Sequence, residues 1–171
     1  MDGSLSTMTT TLLVSWSTIV AVGALAGFIA AVGMDWPMSR QPDGFVPAAI
    51  AAGIVTRQSV DDVSTAALLA VHHAAGLLAG VLYSVFVVGF SMSLPAVIAV
   101  GGLDLIAHLL AVSLVSGFIY AFFAHFVLPR AGGRSYEEQA TAIRGQWLRS
   151  SIVFGSTLLV FVPFVLLSVG G

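Results

Sequence analysis

Cysteine is absent from this 171-residue chain, which excludes disulfides, thiolate metal sites and iron–sulfur clusters. Lysine is absent too, and all 6 cations are arginine. That choice reads as genome composition and points to a prokaryotic source. Charged residues of either sign make up only 8% of the chain, where soluble domains carry about 25%. With a net charge of −2 and no basic cluster interleaved with aromatics, nucleic acid is not an expected partner. Phosphate-cradling glycine loops, zinc-protease motifs and nucleophile elbows are missing as well. The sequence therefore predicts no enzyme.

What the chain has in abundance is apolar surface, at 58% hydrophobic residues and a mean hydropathy of +1.03. A water-soluble fold is excluded, and the lipid bilayer is the first expected partner. The length suits one transmembrane domain over 1–171. Residues 12–34 form a near-continuous apolar run, enough to cross a hydrocarbon core of roughly 30 Å at ~1.5 Å per residue. The polar start, Met1 to Thr11, lacks the positive charge that opens a secretory signal, so this run is expected to be a retained helix. Trp16 and Trp36 flank it as interfacial aromatics, and Pro37 is expected to end it.

Three further spans are predicted, over 63–90, 103–128 and 148–169, giving an all-α bundle of four transmembrane helices. Ser59-Val60-Asp61-Asp62 reads as a capping box for the second span, with Asp in place of Glu. Gly101-Gly102 is the expected break before the third. Trp147 and Arg149 mark the entry of the fourth, and Pro163 is expected to kink it. Residues 45–56 are apolar but too short to span, and read as a surface-lying or re-entrant helix opened by Pro47. Residues 129–146 form the most polar stretch and read as a loop.

Arginine sets the orientation. Arg40 and Arg57 lie in the first connection, and Arg130, Arg134, Arg144 and Arg149 lie in or beside the third. The positive-inside rule places loops 35–62 and 129–147 in the cytoplasm and both termini outside.

Small residues recur every fourth position on three spans. The stripes are Gly23, Gly27, Ala31 and Asp35; His72, Gly76, Gly80 and Ser84; and Ser113, Gly117, Ala121 and His125. Such stripes let helix backbones approach closely in lipid. The second stripe matches the third read backwards, so an antiparallel pairing would bring His72 to His125, with Asp35 at a similar level. His72 and His73 stand about 100° apart on a helix, so only one is expected to face a given partner. Gly27-Phe28-Ile29-Ala30-Ala31 also lines up with Gly117-Phe118-Ile119-Tyr120-Ala121, as a duplicated two-helix hairpin would.

Ionisable residues at membrane depth are costly and mark candidate sites. The main candidate is Asp35, His72, His73 and His125. Asp35 beside an imidazole would favour its charged form and could load a proton; with neutral imidazoles the same groups could hold a divalent metal. Asp104 and His108, at i and i+4, form a second candidate pair near the outer surface.

Met34-Asp35 at the end of the first span, His72 with Gly76, Gly80 and Tyr83, and His125-Phe126-Val127-Leu128-Pro129 closing the third resemble small four-span proteins of the YagU-like inner-membrane family. The resemblance covers nearly the whole chain and implies four spans without implying a ligand.

Three functional readings stay open. The first is a non-enzymatic accessory protein, forming a homo-oligomer or a subunit of a larger membrane complex, with no cofactor. The second is a small transporter, or a proton or divalent-metal conduit, using the Asp/His group. The third is a haem b electron carrier with His72 and His125 as axial ligands.

Overall fold

A computed structural model describes residues 16–131 and 136–168 in full and, beyond these, only the helical course of 2–15, 133–135 and 169. The start of the first predicted span (12–15), Arg134 and Val169 therefore lie outside the fully described residues. The helices are α1 (Asp2–Ser39), α2 (Val46–Thr56), α3 (Thr65–Ser93), α4 (Leu105–Phe122), α5 (Leu128–Ala131) and α6 (Gly133–Val169). Four stretches are long and apolar enough to cross a membrane: Trp16–Ser39, Thr65–Ser93, Leu105–Ala131 and Tyr136–Ser168.

The spanning helices close into a ring, in which α1 packs on α3 and α6, and α4 packs on the same two neighbours. The interior pairs small with large. Ala26 and Ala30 of α1 and Ala107 and Ala111 of α4 leave room for Tyr83 and Val87 of α3 and Phe154 and Leu158 of α6. Large apolar residues such as Leu78, Val160 and Phe164 face outward, as a bundle in lipid requires.

Gly101 and Gly102 break the chain as expected, with φ of +58° and +78°, a region that side-chain-bearing residues rarely adopt. They turn a two-residue antiparallel pairing of Ala99–Val100 with Leu103–Asp104, which the sequence did not announce. Pro47 opens α2 as expected, and that helix packs its Ala48, Ile50 and Ala52 inward.

Several boundaries differ from the sequence reading. α1 runs past Pro37 to Ser39, because a proline blocks only bonds to the preceding turn and one more turn can follow it. α3 is capped by Ser64, whose Oγ accepts from Ala67 N at 3.2 Å. Ser59 instead donates to Asp62 Oδ2 at 2.6 Å within a 3-10 turn, Val60–Asp62.

Residues 129–131 and 133–146 are helical rather than a loop. Tyr136 and Ile143 sit on one face and pack against Ile50 and Leu128 in a second small core, while charges on the other face mask the pattern. Inside α6 the backbone leaves helical geometry at Gln139 (φ −124°, ψ 19°), and no such departure is recorded at Pro163. Trp147, at the expected entry of the fourth span, is buried, and its Nε1 donates to Ile119 O at 3.3 Å.

The third span also continues past Leu128, to Ala131, through a π-helical turn at Phe123–Val127. Pro129 has no N–H for the carbonyl of His125 and crowds it. The widened turn accommodates this.

Candidate metal centre

The site is built from the crossing of α1 and α3. Gly27 faces the Gly76 carbonyl and the backbone of Gly80, and a Cβ on Gly27 would stand 2.7 Å from Gly80 Cα. No side chain fits there, so the two backbones run in direct contact. At the far end of the seam Ser84 Oγ donates to Ile19 O at 3.0 Å. At the near end Gly76 meets Ala31. One helical turn beyond Ala31, Asp35 is carried up to His72 and His73.

Both histidines reach this carboxylate, against the expectation that only one could. His73 Nε2 lies 2.8 Å from Asp35 Oδ2, and His72 Nε2 lies 3.5 Å from Asp35 Oδ1. Asp35 stands across the seam from the gap between them, so two rings that diverge by about 100° at the backbone converge at their tips. The rings sit 5.4 Å apart, tilted by 50°, and the edge of Phe28 packs on His73 at 5.6 Å.

The two contacts differ in kind. His73 makes a short hydrogen bond to Asp35. His72 Nε2 is engaged with Ala31 O at 3.2 Å, and one N–H serves one acceptor well. Asp35 Oδ1 is thus buried without a hydrogen-bond partner among the described residues. His72 Nε2 stands 3.5 Å from that oxygen without a hydrogen bond to it. Asp35 and His73 keep 27% and 22% exposure against 7% for His72, so the cluster has a dry side and an accessible side.

One ligand atom each from Asp35, His72 and His73 lies within 4.8 Å of the other two. In a tetrahedral zinc site with bonds of about 2.0–2.1 Å, ligand atoms are about 3.3 Å apart. The cluster therefore needs only a small closure to hold an ion. His72 and His73 would have to surrender their Nε2 protons to do so, since a metal takes the lone pair.

The remaining candidates are placed elsewhere. His125 is exposed on the π-helical turn, with the Tyr120 ring at 6.1 Å. Its whole stripe, Ser113, Gly117 and Ala121, is exposed too, and a Cβ on Gly117 would meet no described atom within 4 Å. α4 turns Ala107, Ala111 and Val115 inward instead. α3 spends its small stripe on α1, so the expected antiparallel match between the second and third stripes does not form. Nor does the His72–His125 pair that a bis-imidazole haem would need. Gly27 and Gly117, equivalent in the suspected duplication, occupy opposite environments.

Asp104 and His108 do not pair either. Asp104 Oδ1 caps α4 by accepting from Ile106 N at 2.8 Å and Ala107 N at 3.2 Å. His108 is buried and joins three helices, with Tyr83 OH 2.7 Å from its Nδ1 and Leu159 O 3.2 Å from its Nε2. No motif in the sequence points to Tyr83 for this role; the one usable signal is a phenol within a spanning helix, since a buried phenol seeks a partner.

Beside the cluster, a cavity of about 310 Å³ opens between α3 and α4. His72 forms part of its wall, with Phe118, Phe122, Phe123, Trp147 and Phe154 around it. Comparisons with known proteins add no name to this geometry: no family model, no curated protein and no solved structure matches the chain.

Proposed function

We propose that this multi-pass membrane protein binds a divalent transition-metal ion at Asp35, His72 and His73 and serves as a small metal conduit. The observation that carries the reading is the convergence of three ligand atoms within 4.8 Å. Two imidazoles and one carboxylate suit zinc, iron or nickel better than the hard cations. Three protein ligands leave coordination positions open, as suits an ion that arrives and departs rather than one that staples a fold. Arginine asymmetry supports a cytoplasmic location for this end of the bundle, with both termini outside.

Protons compete for the same nitrogens, so binding an ion releases protons and loading protons expels it. Cobalt(II) tests the site, because its visible absorption reports coordination in detergent-solubilised protein. The wild type is expected to develop cobalt bands that Asp35→Asn or His73→Ala removes and His125→Ala leaves intact. Absence of bands in the wild type, or their loss in His125→Ala, would overturn the assignment. Zinc entry into dye-loaded liposomes then separates a conduit from an accessory subunit: binding without flux favours the latter, a non-enzymatic partner of a larger complex.

A further inference from the structure

The cavity shares His72 with the metal cluster, and the construction of its remaining wall is that of a ligand site. We infer that it binds a lipid-soluble ring compound of the quinone class, which enters sideways from the bilayer. Three features converge on that ligand.

The first is access. The rim residues Leu78, Phe118 and Phe122 are 66%, 52% and 42% exposed, whereas Ala31, Phe154 and Trp147 at the floor are 0%, 1% and 5%. Those rim residues lie on the outward faces of α3 and α4, in spans that lipid surrounds. The mouth therefore faces hydrocarbon, and the expected visitor is one already dissolved there.

The second is shape. An apolar cavity of about 150 Å³ accommodates benzene. A volume of about 310 Å³ matches a fused two-ring head. Five aromatic side chains on the wall offer offset and edge contacts to a flat ring. A saturated chain would call for a long aliphatic slot and would forgo the ring–ring part of these contacts.

The third is the single polar point. Ligand sites are mostly apolar, with a few placed polar groups that fix orientation. Trp147 has already committed its N–H to Ile119 O. His72 is the titratable residue on this wall. With its Nε2 engaged by Ala31 O, its Nδ1 is the atom left for a ligand. With Nε2 donating to Ala31 O, Nδ1 carries a lone pair and can accept from a ligand hydroxyl, as the quinol form of such a ring presents.

The experiment exploits the position of Trp147. The chain has 3 tryptophans, so Trp16→Phe with Trp36→Phe leaves Trp147 as the reporter on the cavity wall. Menadione, a naphthoquinone, is titrated into this protein in detergent with a chelator present, so the outcome does not depend on the metal site. Saturable quenching is expected. Ala79→Phe, which fills the cavity, is expected to weaken it by about tenfold or more, while Val85→Phe on the outer face has no effect. Ala79→Phe and Val85→Phe together decide the question. Unsaturable quenching, or the same affinity in Ala79→Phe, would overturn the inference. Equal displacement of menadione by palmitate would overturn it too, making the cavity an acyl slot.

Discussion

Replacing Gly27 by alanine adds one methyl group where the α1 and α3 backbones meet directly. That carbon would lie 2.7 Å from both Cα and N of Gly80. Non-bonded carbons settle at about 3.5–4.0 Å. Both obstacles are backbone, so no side chain can swing aside and the helices must separate by about 1 Å. Overpacking of this kind costs about 1–3 kcal/mol. The His72 Nε2–Ala31 O bond, at 3.2 Å, then stretches past hydrogen-bonding range, adding about 1 kcal/mol. A total of about 2–4 kcal/mol corresponds to a fall in melting temperature of about 4–16 °C for a chain of this size. Thermal unfolding in detergent, followed by near-ultraviolet circular dichroism, measures it. Gly117→Ala is the control, because its new methyl meets no described atom within 4 Å and improves helix propensity by up to about 1 kcal/mol. If Gly27→Ala melts within about 2 °C of the wild type, the two backbones are not in contact and the placement of Asp35 against the histidines loses its foundation.

Cobalt(II) affinity is expected to be weaker in acid than at neutral pH, because a protonated imidazole cannot ligate; calorimetric titration showing the reverse would exclude His72 and His73 as ligands. Tyr83→Phe removes the 2.7 Å bond to His108 Nδ1 and leaves a buried nitrogen unpaired. It should cost about 1–2 kcal/mol, seen as a fall in melting temperature of about 2–8 °C. For topology, the absence of native cysteine makes any introduced thiol unique. An impermeant reagent on intact cells should label Ser93→Cys and spare Ser59→Cys, both exposed positions; the opposite pattern would invert the orientation.

Much of this molecule is legible in its sequence because the signal is local. Apolar runs of sufficient length specify spanning helices wherever they occur, since an unsatisfied backbone in hydrocarbon is too costly for any alternative. Gly101-Gly102 and Pro47 act through their own backbones, and both mark the boundaries expected of them. Asp35, His72 and His73 stand out for the same reason, as ionisable groups where charge is expensive.

Which face meets which neighbour is not a local property. α4 carries two small faces, one through Ala107 and Ala111 and another through Ser113, Gly117 and Ala121. Helical periodicity describes both without choosing, and in the folded bundle only the first is buried. That choice sends His125 outward and leaves α3 free to spend its own stripe on α1. The same limit hid the helix within 129–146, where Tyr136 and Ile143 gain a partner only once Ile50 and Leu128 are brought to them. The sequence by itself determined four spans and the residue types of the site, because length, hydropathy and backbone chemistry are read residue by residue. Tertiary structure alone decided that both histidines share Asp35 and that Tyr83 belongs to His108, because those contacts depend on how close two helices can come, and a pair of facing glycines sets that distance.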